Sequence, residues 1–309
     1  MKQKPLVSVC MITYGHENFI RQAIEGVLMQ QCDHELELII SNDCSPDNTD
    51  AIVKNVINTH PNGSWIRYIK HEKNLGMIPN FLDTLQKARG KYVALCEGDD
   101  YWTDPLKLHK QVAFLELNPN YSIHSGKAEI IKDGVIEELI GDPLAKKNYQ
   151  LSDFFTQNNL ISCTVLFKNT PLLQKYFKKI VFGDWMLYVQ LISQNTNTMA
   201  YVSSDIYANY RVHQGGIMQT LVTLQDHYVA QLNQIEAIHK YLRLSYSPED
   251  ILKINTYCLH VFTCFFKQKK YCKAFIYTVK NLILVKQVNL VRVYLSFIKQ
   301  QLKTSFYAK

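Results

Sequence analysis

The chain has 309 residues, 47% of them apolar, which is long enough for two modest domains or one domain with an extension, and apolar enough for a sizeable core. Its net charge of +7 is uneven: residues 1–250 sum to −4, whereas residues 251–309 carry 11 Lys and Arg and no acid, a pattern suited to an anionic partner. Eight cysteines without a CxxC pair, several inside apolar runs, argue against a disulfide framework and for a reducing cytosol.

The N-terminal Met1-Lys2-Gln3-Lys4-Pro5 is basic, but the apolar stretch behind it is short and strand-like, so no signal peptide is expected. No uncharged run approaches the ~18 residues of a membrane span. The best stretch, 274–298, is interrupted by Lys280, Lys286 and Arg292.

The first hundred residues alternate in pattern. Residues 6–13 are apolar and rich in Val and Ile, and 17–30 carry apolar positions at helical spacing (Phe19, Ile20, Ala23, Ile24, Val27, Leu28). An apolar run at 36–40 precedes a helix at 49–59. A third strand at 65–69 precedes a helix at 77–89, stopped by Gly90, and 92–96 is the fourth strand. Short apolar strands alternating with helices predict a parallel sheet covered on both faces. Ligands in such sheets bind at the carboxyl ends of the strands. The polar residues collect there, because Thr13-Tyr14, Asn42-Asp43 and Glu97-Gly98-Asp99-Asp100 each follow a strand.

Beyond residue 120 the pattern changes. Gly134 separates two short β-prone runs, 161–167 is a further strand candidate, and 184–194 reads as a helix. Residues 202–210 lead into Tyr210-Arg211-Val212-His213-Gln214-Gly215-Gly216. From about 220 the spacing is helical to the end, with Ser247-Pro248-Glu249-Asp250 as a helix start. The expected organisation is a domain over 1–218 and a basic helical region over 219–309.

Glu97, Asp99 and Asp100 place three carboxylates in four positions at the end of a buried strand. Like charges so close call for a positive partner, and clustered oxygen ligands suit a divalent cation that also takes phosphate oxygens. An acidic turn capping the helix after Pro105 is the other reading of the same residues.

The run Val7-Ser8-Val9-Cys10-Met11-Ile12-Thr13-Tyr14, then Asn42-Asp43-Cys44-Ser45-Pro46-Asp47-Asn48-Thr49, Asn74-Leu75-Gly76, Glu97 to Trp102 with Asp104-Pro105, Gly183-Asp184-Trp185 and Tyr210-Arg211-Val212-His213 resembles the bacterial family 2 glycosyltransferases, in the family's order. The resemblance implies a GT-A fold, a Rossmann-like mixed α/β sheet with helices on both faces, followed here by the all-helical region. It also implies a nucleotide-sugar donor such as a UDP-sugar, a Mn2+ or Mg2+ ion, and inversion at the anomeric carbon.

Under that resemblance Thr13, Tyr14 and Glu17 line the nucleoside slot. Asp43 accepts from the imide or ribose, or else makes an Asx turn with Ser45 and Asp47; Asn74 is a donor contact or a turn residue. Glu97-Gly98-Asp99 aligns with the family's Asp-x-Asp motif, with Glu in place of the first Asp. Asp99 is the expected metal ligand, ahead of Asp100, and Glu97 and Gly98 the expected donor contacts. His213 is a further ligand or a diphosphate contact, and Arg211 shares its strand face as a phosphate-binding guanidinium. Gly215-Gly216 would let the next loop close on the donor, and specificity is expected from loops in 120–180 and 214–225.

Asp184 is the expected catalytic base, and it also suits a helix N-terminus. Gly183 stands where the family more often has Glu. Trp102 and Trp185 are expected to touch the acceptor, Trp185 by stacking on a sugar ring or as a core residue. The acceptor is expected to be a glycan or its lipid-linked precursor.

The tail interleaves lysines with apolar residues, densest at Lys267, Lys269, Lys270 and Lys273. It reads either as a peripheral contact with anionic membrane through 251–309, or as a helical domain with a solvated basic face that could also serve self-association. No nucleic-acid recognition motif accompanies the charge. The expected location is the cytoplasm, at the inner face of the plasma membrane if the tail binds lipid. Two rivals stand beside this reading. A sugar-nucleotide nucleotidyltransferase would want a Gly-rich loop with Arg after strand one, which Thr13-Tyr14-Gly15-His16 does not supply. A degenerate, non-catalytic sugar or membrane-surface binding protein is the other.

Overall fold

The computed structural model describes residues 6–140, 147–216, 221, 223–285, 294–296 and 299. Strand β1 (Val7–Thr13) and strand β2 (Leu36–Asn42) are built from residues that are almost all buried, which is why both read as continuous apolar runs. They pair in parallel, and β2 pairs in parallel with β3 (Ile66–Lys70). Strand β4 (Tyr92–Leu95) lies on the other side of β1, again parallel. Helices α1 (Ile20–Leu28), α2 (Thr49–Thr59) and α3 (Met77–Gln86) make the crossovers. Helix α1 buries Ile20, Ala23, Ile24, Val27 and Leu28, the stripe set by its apolar spacing.

Two local expectations shift. Trp65 belongs to a 3-10 turn before β3, and α3 ends at Gln86, ahead of the Gly90 stop signal. A polar device ties this half together at the strand starts: buried Glu37 accepts from Ser8 Oγ at 2.6 Å and from Arg89 through Nε at 3.0 Å and Nη2 at 2.6 Å. These bonds outweigh the effect of burial and hold its carboxyl below the usual range.

The second half makes the sheet mixed. Strand β5 (Tyr101–Trp102) is followed by helix α4 (Lys107–Leu117), then the hairpin of β6 (Tyr121–Lys132) and β7 (Val135–Ile140) turning at Asp133-Gly134. Strand β8 (Asn148–Tyr149) and the three-residue β9 (Leu166–Lys168) follow. The strand expected at 161–167 is instead a 3-10 turn at Ser162–Thr164 and then β9, which runs antiparallel to β4. Helix α5 (Gly183–Ser193) is buried nearly all round, and β10 (Met199–Val212) closes the set. Among the described residues the order is β3-β2-β1-β4-β9-β6-β10-β5, with β7 beside β6 and β8 beside β10.

The chain divides into two compact units, Met1–Thr220 and Leu221–Lys309. The second holds α6 (Leu224–Leu242), α7 (Pro248–Lys267) and α8 (Tyr271–Val285). The start of α7 is a full capping box, in which Ser247 Oγ accepts from Asp250 N and Asp250 returns the bond to Ser247 N at 2.8 Å. Its core includes Ile235 and Ile238 of α6 with Ile254, Val261 and Phe262 of α7. Around the α7–α8 turn Tyr271, Phe275 and Ile276 stay 55%, 67% and 60% exposed. The apolar tail positions Val291, Val293, Phe297 and Ile298 lie outside the described residues. No described helix is long and apolar enough to cross a membrane.

Candidate active site

The chain leaves β1 toward β2 and β3 on one side, then returns to place β4 on the other side of β1. The crossovers diverge at that point and open a crevice at the carboxyl ends of the strands. Three loops are stitched together there. Asp43 N donates to Thr13 O at 2.9 Å, and Gly98 N donates to Ile12 O at 2.9 Å. Only glycine fits at position 98, since a Cβ there would stand 2.7 Å from Thr13 Oγ1 and 3.0 Å from His16 Nδ1.

The three carboxylates take different directions. Asp100 is 2% exposed, and its Oδ1 accepts from Arg211 N at 2.8 Å. Burial, then the charges of Asp99 and Glu97, push its carboxyl well above the usual range. It faces inward as a brace for β10 and is not placed as a ligand. Asp99 faces the crevice, with its Oδ2 3.1 Å from His213 Nε2 and 3.8 Å from His16 Nε2. Burial alone would raise the Asp99 carboxyl, but the His213 bond and the His16 interaction hold it below its ordinary value. Glu97 accepts from Ser162, feels the charges of Asp99 and Asp184, and has one buried oxygen, Oε2, without a partner. Burial and then the Asp99 charge push it up to about 7.

Asp43 is buried and accepts from Leu75 N at 2.7 Å and Gly76 N at 2.9 Å, one bond to each oxygen. It thus fixes the loop that carries Asn74, whose Oδ1 closes a turn on Gly76 N. The Asx turn considered for Asp43 is made by its neighbours: Asn42 Oδ1 accepts from Ser45 N, and Asp47 accepts from Glu17 N and Thr49 N. Glu17 accepts from Asn48 N and Nδ2, both at 2.9 Å, and so clamps the loop between β2 and α2. Thr13 is buried with its hydroxyl unpartnered, and Tyr14 is 49% exposed at the rim.

Arg211 departs from the phosphate-binding expectation. Its Nη1 donates to Asp99 O at 2.5 Å and its Nη2 to Gln22, and its guanidinium lies 4.3 Å from the Tyr101 ring centroid. These contacts commit it to holding the Asp99 backbone.

Asp184 sits in the first turn of α5, where the helix dipole favours a carboxylate. Asn158 Nδ2 donates to its Oδ2 at 2.7 Å. Burial nevertheless pushes its pKa up, and its charge reaches Glu97. Gly183 packs against α3, since a Cβ there would meet Ile78 Cδ1 at 2.8 Å.

Both tryptophans expected at the acceptor are core residues. Trp102 is 1% exposed, donates from Nε1 to Cys163 O at 2.6 Å, and is fixed by the pairing of β5 with β10. Trp185 is 1% exposed and donates to Phe154 O at 2.7 Å. Neither indole face is free to stack on a sugar ring.

The residue that sequence reading passed over is His16, in the turn between β1 and α1. Its ring stands 6.0 Å from that of His213, and Phe19 packs 4.6 Å from the latter. Burial pushes the His16 pKa down, so its imidazole is held neutral. Ligand atoms of His16, Asp99 and His213 all lie within 4.8 Å of one another, among the described residues the one such grouping of His, Cys, Asp and Glu. The signal available in sequence was its place two residues after Tyr14, in the loop at the carboxyl end of β1. Gly215 and Gly216 turn back on His213, with Gly216 N donating to His213 O at 3.0 Å. Residues 217–220 and 222, part of the expected lid, and 141–146 of the expected specificity loops lie outside the described residues.

The donor set fits a divalent cation. One carboxylate and two imidazoles converge, and Glu97 Oε2, Thr13 Oγ1 and His16 Nδ1 are buried polar atoms without partners at the same corner.

Residues 8–173 match the family model for glycosyl transferase family 2. An uncharacterized Mycobacterium tuberculosis protein is 31% identical over 218 residues, 70% of this chain; the chain covers 62% of that relative's length. The Escherichia coli UDP-Glc:alpha-D-GlcNAc-diphosphoundecaprenol beta-1,3-glucosyltransferase WfaP is 28% identical over 69% of this chain and 79% of its own. Among solved structures, Staphylococcus aureus TarS with UDP-GlcNAc superposes with a TM-score of 0.56 at 18% identity, covering 84% of this chain and 72% of that one. The Pyrobaculum calidifontis mannosyltransferase PcManGT with GDP-Man and Mn2+ gives 0.53 at 14% identity over 97% and 81%. At these identities the structures speak for the fold, a GT-A architecture.

Proposed function

Because the chain belongs to glycosyl transferase family 2, we propose that it is an inverting transferase carrying one sugar from a nucleotide-sugar donor to a hydroxyl of a glycan acceptor in polysaccharide biosynthesis. The observation that carries the reading is the convergence at the switch point. There Asp99, paired with His213, and the Asp184 carboxylate both act electrostatically on Glu97. A divalent cation, Mn2+ or Mg2+, held by Asp99 and His213 would stabilise negative charge on the leaving nucleoside diphosphate as a Lewis acid.

The chain's own residues do the rest. Thr13 and Tyr14 offer a hydroxyl and a half-exposed ring beside the nucleoside, and Asp43 and Glu17 hold the two loops that form its walls. Asp184 takes the proton from the attacking acceptor hydroxyl, oriented by Asn158. Its raised pKa makes it a better proton acceptor, and it sets the acid limb: transfer falls as pH drops through that raised value and the carboxylate protonates.

UDP is the proposed nucleotide, since WfaP is named for UDP-Glc and TarS is solved with UDP-GlcNAc. A diphosphate-lipid-linked glycan is the proposed acceptor, after the acceptor in the WfaP name. The exposed apolar residues and lysines of the second unit would then seat the enzyme on the inner face of an anionic membrane. The test is Asp184→Asn, assayed for transfer from a panel of UDP-sugars and for UDP binding. The expected loss in transfer is on the order of 10²–10⁴-fold with UDP binding retained. Full transfer activity in the variant would refute the assignment of the base.

A further inference from the structure

We infer that His16 is a third ligand of this cation site, making it a set of two imidazoles and one carboxylate that selects a transition-metal ion over Mg2+. The inference deepens the proposed function and rests on its reading of a cation at Asp99 and His213.

The geometry of His16 is that of a ligand held ready. The turn that bears it is fixed through its backbone: its N–H donates to Thr49 Oγ1 at 3.1 Å, and its carbonyl accepts from Phe19 N and Ile20 N, each at 2.9 Å. The ring is free of such ties. Nδ1 is buried with no hydrogen-bond partner. Nε2 points at Asp99 Oδ2 from 3.8 Å, beyond hydrogen-bond reach. The ring is 14% exposed, and its Nε2 faces the Asp99 carboxylate from a distance that an ion bound by both atoms would bridge.

The spacing suits a metal. With metal–nitrogen and metal–oxygen bonds of about 2.0–2.2 Å, two ligand atoms on one ion stand up to roughly 4.3 Å apart. The His213–Asp99 and His16–Asp99 separations of 3.1 and 3.8 Å lie inside that limit, and all three ligand atoms lie within 4.8 Å of one another, which a small ring rotation brings within it. Nε2 of each ring faces the same oxygen, Asp99 Oδ2, and the two ring planes stand at 87° to each other.

The donor set decides the ion. Mg2+ prefers oxygen ligands and retains water, whereas imidazole favours first-row transition metals, with affinity rising from Mn2+ through Co2+ and Ni2+. A site with one oxygen and two nitrogens therefore holds Mn2+ or a later ion before any nucleotide arrives, while Mg2+ gains little from it.

The experiment uses the full chain without sugar nucleotide. Mn2+ and Mg2+ are titrated separately, and pulsed electron paramagnetic resonance counts the nitrogens bound to Mn2+. The wild-type protein is expected to show two bound nitrogens. His16→Asn and His16→Gln are expected to show one, with Mn2+ affinity at least about tenfold weaker and Mg2+ affinity unchanged. A single nitrogen in the wild type, no Mn2+ binding at all, or Mn2+ affinity untouched by both substitutions overturns the inference. The nitrogen count in the wild type does not depend on a variant folding. The readout is also separate from transfer: loss of the glycosyl-transfer reading would show in the Asp184→Asn assay, and loss of this one in the metal titration.

Discussion

Lys107 is fully buried, with its Nζ donating to Gln111 Oε1 at 2.8 Å and standing 4.0 Å from the Trp102 ring centroid. No carboxylate pairs with it among the described contacts, and burial pushes its pKa from 10.5 down to about 7. The unfolded chain keeps this proton up to the ordinary value, so between pH 7 and 10.5 the unfolded state binds more protons and stability must rise with pH. The slope approaches ~1.4 kcal/mol per pH unit, and the whole window amounts to on the order of 5 kcal/mol. Lys107→Met removes this term. It also leaves Gln111 Oε1 without its donor, a loss of about 1–3 kcal/mol that does not vary with pH. The assay is urea unfolding of both proteins at intervals from pH 7.5 to 9.5. Other groups titrate in that range but are common to both, so the difference between the curves isolates Lys107. The wild-type stability should gain roughly 2–3 kcal/mol on the variant across those two units. Parallel curves would show that Lys107 titrates normally and that its burial in the folded state is misread.

Two further outcomes follow from the placement of aromatic residues. Trp185→Phe should cost about 1–3 kcal/mol of stability, by leaving Phe154 O without its donor, and leave the acceptor KM unchanged; a raised KM at unchanged stability would return Trp185 to the acceptor site. The pair Phe275→Ser and Ile276→Ser, both on exposed side chains, should change stability by no more than about 0.5 kcal/mol. Co-sedimentation with phosphatidylglycerol vesicles should fall, and retention equal to the wild type would remove membrane seating through this turn.

The candidate site was legible in sequence where its chemistry is local. Thr13 ends an apolar strand and Asp43 and Asp99 stand just past one, and a strand shows itself by a run of buried residues that needs no knowledge of its partner. Parallel pairing of β1, β2, β3 and β4 follows from the helices between them, and their carboxyl ends then must gather the polar loops. The capping box at Ser247 is likewise a contact among four successive residues.

What lay beyond sequence is set by contacts between distant segments. Neighbouring acids look alike until a partner strand assigns their directions: Asp100 turns inward because Arg211 N, on β10, takes its oxygen, which leaves Asp99 to face the crevice. Trp102 was expected at the acceptor, but pairing with Ala208 across the sheet drives its ring into the core. Lys107 is of a residue type mostly found exposed and is nevertheless buried, and His16 gains a role only when β10 brings His213 beside it. The order of apolar and polar residues along the chain determined the strands, the helices and the end of the sheet where the site must lie. Which side chains meet there was decided by tertiary structure, because convergence of distant side chains depends on the docking of strands that share no local signal.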